Sequence, residues 1–381
     1  MQNGYIHIHK CDQDMFLLSR QLTISLSILW MMAAANLVAK ADTIPSLGHL
    51  YRHKFFIGAS VSPSNLRSEA TRLLIKHFNS LTAENVMKMG LIHPEPGRYD
   101  WSGPDSIAAY ARAHGMKFRG HTLVWHKQTP DWLFRGSDGG TVSREELLKR
   151  LREHIFAVAG RYRGRVYAWD VLNEAISDDP GTFYTRTPFL DICGEEFIEQ
   201  VFRWAHEADP EALLFYNDYR ETDPVKRRKI IQMVTRLREK GVPIHGIGLQ
   251  CHWSIYSLRE AELEACLRDF AATGLMLHIT ELDLSVWPGE PERRALRPSD
   301  NVNAYTKEHA EKQDAIYGMI FRSFVKYSDV IQSVTFWNIS DRHSWLNEWP
   351  VRGRLDHPLL FDRNLQPKSA FRKVVEQAGN K

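Results

Sequence analysis

At 381 residues, with 43% hydrophobic and 25% charged residues, the chain has the make-up of a folded globular protein and not of a disordered one. A formal net charge of +3 with no block of basic residues excludes a nucleic-acid surface. The 11 Trp are the unusual count, and those not filling a core offer flat apolar faces beside a polar N–H.

In chain order, the first feature is a leader. Polar residues with Lys10 and Arg20 precede an apolar run, Leu22 to Val38, followed by Ala39-Lys40-Ala41. That order predicts a signal peptide over 1–41, cleaved before Asp42, with Met15 as an alternative start. A membrane anchor is the competing reading, but a spanning helix needs about 20 apolar residues and this run is shorter and carries Thr, Ser and Asn. A secreted product, extracellular or periplasmic and without stable membrane association, is therefore expected. Cys11 leaves with the leader. The remaining Cys193, Cys251 and Cys266 allow at most one internal disulfide, whose pairing the sequence leaves open although Cys251–Cys266 closes the shortest loop. No Cys/His spacing suggests a metal, and none is expected, nor any cofactor.

From about Pro45 to Ala378 no linker and no repeat divides the chain, so a single domain is expected. Short apolar runs alternate with helical stretches. The strand candidates are Phe55–Val61, Phe78–Glu84, Lys117–Trp125, Arg165–Glu174, Leu213–Tyr219, Ile244–Trp253, Leu275–Asp283 and Ile331–Ser340. Between them, Ser143–Tyr162 opens with a Ser143/Glu146 capping box, and Asp223–Gly241 begins Asp-Pro and stops at Gly. Eight such units predict an α/β fold, a single (β/α)8 TIM barrel. Polar residues gather at the C-terminal strand ends: Glu84, His121, Glu174, Asn217, Gln250, Glu281 and Trp337. Barrel active sites occupy that rim.

Period-two alternation would put Leu275, Leu277, Ile279, Glu281 and Asp283 on one face, so Glu281 extends an inward apolar row. A carboxylate there is costly without partners or a task. Glu174 ends the strand three positions earlier, and two carboxyls on one rim suggest the acid and nucleophile of a glycosidase.

WDVLNEA, HITELD, GHTLVWHKQTPDW, TAENVMKMG, GIGLQCHW and FWNISD, in order on successive strands, resemble glycoside hydrolase family 10, the barrel-type xylanases. The resemblance runs from about Leu47 to Ala378 and implies a retaining endo-β-1,4-xylanase acting on xylan and xylo-oligosaccharides, as a monomer. It implies that Glu174 is the general acid/base and Glu281 the nucleophile, their carboxyls roughly 5–5.5 Å apart. Ionised Glu281 is then expected to hinder ionisation of Glu174 until the covalent intermediate forms. Asn173 resembles the ligand of the sugar 2-hydroxyl. Glu84, Asn85 and Lys88 resemble glycone-side ligands, and 84 and 88 would share a face if a helix opens there. His121 and Trp125 resemble a hydroxyl ligand and an aromatic wall. Gln250 resembles a residue contacting the nucleophile's surroundings, and His252 the one that orients the nucleophile, with Asp283 as acceptor for its other nitrogen. Trp337 and Trp345 resemble the pair closing over the sugar at the cleavage site, leaving little room for a hydroxymethyl group. Asn217 and Tyr219 belong to the same rim without an assigned role.

The polar stretch after Glu281, Ser285 to His309, has no assigned place. It is read either as an aglycone-side wall using Trp287 or its Arg residues, or as a solvated loop. Three other functions compete. A β-1,4-glucanase would share the mechanism and differ near Trp337 and Trp345. A metal-dependent hydrolase would use His121, His126, His252 and Asp283, although His121 and His126 face opposite ways on a strand. A sugar-binding protein without catalysis would not need both glutamates.

Overall fold

Apolar runs of three to ten residues form nine strands in the computed structural model, which describes residues 44–290, 292–298, 300 and 305–379. They are β1 (Phe56–Val61), β2 (Ser80–Ala83), β3 (Lys117–Trp125), β4 (Ala168–Asn173), β5 (Leu213–Asp218), β6 (Gly246–Leu249), β7 (His252–Ser254), β8 (Met276–Ser285) and β9 (Ile331–Phe336). All neighbours are parallel. The order β6-β5-β4-β3-β2-β1-β9-β8 is closed by β6 against β8, and β7 is a short extension paired with β8. Eight strands thus make a closed barrel ringed by helices, as expected. The leader at 1–41 lies outside the described residues. Among the described residues no helix is long and apolar enough to cross a membrane.

Parallel strands must be buried on both faces, and these are: β2 and β4 are buried throughout. Outside the barrel, Leu147, Leu151, Ile155 and Val158 form one buried stripe on the helix Arg144–Arg161. Its N-cap Ser143 accepts from the Glu146 N–H at 3.2 Å, but the Glu146 carboxylate turns to Arg150 at 2.7 Å, so only half of the expected capping box forms. The helix Pro224–Glu239 starts as expected, with Asp223 accepting from the N–H groups of Val225 (2.8 Å) and Lys226 (3.0 Å).

Two local expectations are corrected and a third is refined. Ile244–Trp253 is not one strand, because Cys251 adopts a left-handed φ of 59° and breaks it into β6 and β7. No helix opens at Glu84: residues 84–88 form a turn, with Lys88 N–H bonded to Asn85 O at 2.9 Å, and the next helix is Met89–Ile92. The described part of the stretch after Glu281 is solvated at 292, 293 and 295–298, yet it is pinned in place. Arg294 grips Glu290 and Asp300, Arg354 also reaches Glu290, and Trp287 donates to Leu355 O at 2.9 Å under the Arg354 guanidinium. Trp287 is thereby tied into the loop at 355 instead of standing free as a wall. Cys193, Cys251 and Cys266 are all free and buried.

Candidate active site

The barrel interior is polar across its axis. Arg119 on β3 binds Asp170 on β4 and touches His278 on β8, and all three side chains are buried. Burial alone would favour a protonated Asp170, but Arg119 and His121 hold its pKa down at about 2. One layer higher, Asn217 on β5 accepts from Thr280 on β8 at 2.7 Å. These contacts make His278 and Thr280 the inward row of β8, not Leu277 and Ile279. Glu281 nevertheless reaches the mouth, because the pairing of β8 with β9 slips between Ile279 and Leu282 and swings the carboxylate inward. Gly248 on β6 makes room for this layer: a Cβ there would stand 2.3 Å from Asn217 Oδ1.

Glu281 is 5% exposed and held at both oxygens. Oε1 accepts from Asn217 Nδ2 at 2.8 Å, and Oε2 faces His252 Nε2 at 3.1 Å. His252 Nδ1 lies 3.0 Å from Asp283 Oδ2, as expected, and the same oxygen accepts from Trp345 Nε1 at 2.8 Å. Burial disfavours a charged His252 ring, but Asp283 and then Glu281 outweigh it and push its pKa up to about 10. Burial likewise favours a neutral Glu281, yet the His252 hydrogen bond, with His121 and Lys88 nearby, keeps its pKa below the usual range. Glu281 is thus a buried, ionised and oriented carboxylate.

Glu174 follows β4 at a left-handed φ of 57°. Its Oε2 accepts from Trp125 Nε1 and from Lys127 Nζ, each at 3.0 Å, and its Oε1 from Gln250 Nε2 at 3.1 Å. Gln250 therefore contacts Glu174, where the resemblance put it beside Glu281. Asn173 meets Asn217 Nδ2 at 2.9 Å and Gln250 Nε2 at 3.4 Å, so one amide chain links the two glutamates.

The remaining expected residues border the same mouth. Lys88 Nζ donates to Asn85 Oδ1 at 2.8 Å and lies 5.0 Å from the Trp125 ring. Burial raises the pKa of Glu84 against hydrogen bonds from Asn338 and Asn85, and lowers that of Lys88 against Glu281, Glu84 and Glu174. His121 binds Asp170 Oδ2 through Nδ1 at 3.0 Å, leaving Nε2 as the nitrogen for a ligand, and meets Trp337 edge-on at 5.3 Å. Trp345 packs against His252 at 5.1 Å and Trp337 stands edge-on to it at 6.4 Å, so both border the ring that holds Glu281. Both nitrogens of His252 already face carboxylates, so the metal-site reading loses that ligand. Three participants were not foreseen: the Asn217 bond to Glu281, the Lys127 ion pair with Glu174, and the placement of Gln250. Asn217 and Gln250 left a trace in the sequence, as polar strand ends, and Lys127 left none.

Residues 46–377 match the model of glycosyl hydrolase family 10. The chain is 48% identical over 338 residues to a β-1,4-xylanase of Dictyoglomus thermophilum, covering 89% of this chain and 92% of that one. It is also 48% identical to an endo-1,4-β-xylanase of Geobacillus stearothermophilus, covering 88% and 99%. Among solved structures, a xylanase of Paenibacillus barcinonensis complexed with a conduramine derivative superposes with a TM-score of 0.84 at 46% identity, covering 88% and 99%. A mutant enzyme in complex with xylotriose superposes equally well, at 41% identity, covering 87% and 100%.

Proposed function

The chain belongs to glycosyl hydrolase family 10, and from that premise we propose that it is a retaining endo-β-1,4-xylanase whose nucleophile is Glu281 and whose acid/base is Glu174. The observation that carries this reading is the meeting of two buried carboxyls at one barrel mouth, joined through Asn217, Asn173 and Gln250. Glu281 is bonded at both oxygens and kept ionised, as an attacking carboxylate must be. Glu174 stands at the other end of the amide chain, beside the aromatic wall of Trp125.

In the first step Glu281 attacks the anomeric carbon while Glu174 gives its proton to the departing glycosidic oxygen. A covalent glycosyl-enzyme results. Glu174, now a carboxylate, takes a proton from water, which attacks the same carbon and releases Glu281. In this reading Asn173, next to Glu174 and bonded to Asn217, holds the 2-hydroxyl of the sugar. Glu84, Asn85, Lys88 and His121 serve as polar ligands, and Trp125, Trp337 and Trp345 as aromatic walls. The named relatives act on xylan, which supports a pentose backbone as substrate. The leader over 1–41 supports secretion, and a mass for the exported protein beginning at Asp42 would establish the cleavage.

The mechanism is tested by following xylan or xylo-oligosaccharide cleavage by NMR. The β-anomer is expected first, and an α-anomer appearing first rules out double displacement. Hydrolysis of xylan is expected to exceed that of carboxymethylcellulose, and the opposite preference would move the chain to the glucanases.

A further inference from the structure

Glu174 keeps a backbone torsion that an L-residue adopts only when its surroundings impose it. Its own N–H is fixed on Asn217 O at 2.9 Å. The next two peptide N–H groups, of Ala175 and Ile176, both donate to the Tyr216 hydroxyl oxygen at 3.0 Å. That hydroxyl donates its single proton to Asp218 Oδ2, so its hydrogen-bonding capacity is filled. Asp218 is itself anchored: Oδ1 accepts from the Tyr219 N–H at 2.9 Å and lies 2.9 Å from Lys226 Nζ, which also donates to Asp178 Oδ1 at 2.7 Å. One turn along the helix Pro224–Glu239, Lys229 Nζ donates to the carbonyls of Ser177 (2.6 Å), Asp179 (2.9 Å) and Thr182 (2.8 Å). The segment that follows Glu174 is thus tied to the next barrel unit at Ala175, Ile176, Ser177, Asp178, Asp179 and Thr182. Tyr216, Asp218 and Lys226 are all nearly inaccessible, so none of them meets a polymer directly.

Resting on the reading of Glu174 as acid/base, we propose that Tyr216, backed by Asp218, is a positioning residue for proton transfer: its hydroxyl pins the two peptides after Glu174 and so aims that carboxyl at the leaving-group oxygen. Glu281 is oriented by other side chains, those of Asn217 and His252, neither of which is bonded to the Tyr216 hydroxyl. Loss of the hydroxyl therefore damages proton delivery and leaves nucleophilic attack intact. A general loss of fold would damage both.

The two steps separate by leaving group. A 2,4-dinitrophenyl xylobioside departs without a proton, whereas a phenyl xylobioside needs one. For Tyr216→Phe, kcat/KM on the phenyl substrate and on xylan is expected to fall at least about tenfold, within the range a general acid contributes, while the dinitrophenyl value stays within about threefold. Asp218→Asn, which removes the charge facing Lys226, is expected to show the same selective loss to a smaller extent. It carries the test if Tyr216→Phe does not fold. Equal losses on both substrates, or no loss on either, overturn the proposal. Cleavage of both xylosides by the unaltered enzyme checks the underlying activity, and only the ratio between them speaks to Tyr216.

Discussion

His252 bridges Glu281 and Asp283 with one ring, and its charge belongs to the folded state. Its pKa rises from 6.5 to about 10, so the stability it contributes is complete below about pH 6.5 and is lost as pH climbs towards 10. Denaturant unfolding at pH 6, 8 and 10 is expected to show falling stability, and His252→Gln to flatten that fall. An unchanged slope would mean that another group titrates. Asp170 works in the opposite sense, its contribution being present above about pH 4 and lost as pH falls towards 2. Asn217 is the other residue on which the nucleophile depends. Asn217→Ala removes a preorganised donor from Glu281 and breaks the amide link to Asn173, and kcat/KM on xylan should drop about 10²–10³-fold, comparable to losing an oxyanion-hole donor. A drop under threefold would show that His252 alone suffices. At this scale the sequence announced Glu174 and Glu281, because a carboxylate ending an apolar strand is costly to bury without a purpose, and His252 and Asp283 only through the family resemblance. It did not announce the Lys127 partnership or the partner of Gln250, since both depend on how far side chains extend across neighbouring strands.

Among the elements, those with purely local causes were legible. All eight strand candidates exist, and the helix Pro224–Glu239 begins at the residue its Asp-Pro signal names. Asp223→Ala should cost about 1 kcal/mol of stability through loss of this cap, measured by urea unfolding, with kcat on xylan unchanged. A negligible change would mean that tertiary packing alone sets the helix start. Elements with non-local causes were misread. Strict alternation along β8 placed Leu277 and Ile279 inward, whereas the slip in register against β9 reverses that assignment and still delivers Glu281 to the mouth. The left-handed Cys251 splits a strand that composition alone makes continuous. Neither irregularity has a local sequence cause such as Gly or Pro at the break.

Taken as a whole molecule, the barrel is closed by its two ends. β1 pairs with β9 through Phe56–Ala59 against Ser333–Phe336, and the last strand also seals β8. A chain truncated before Ile331 leaves both neighbours with open edges, and is expected to be insoluble or to lack cooperative unfolding by circular dichroism. A soluble, cooperatively melting fragment would show that the first seven units close without the eighth. The barrel itself was legible because eight alternating units leave few other topologies. The polar Arg119–Asp170–His278 layer inside it was not, since three strands far apart in sequence build it.

That closure also has a bearing on biosynthesis. The amino-terminal strand cannot find its final neighbour until the ribosome has made nearly the whole chain, so the nascent polypeptide stays pliable for most of its synthesis. Glu174 and Glu281, from the fourth and seventh of the eight barrel strands, likewise share one mouth only once that closure is complete.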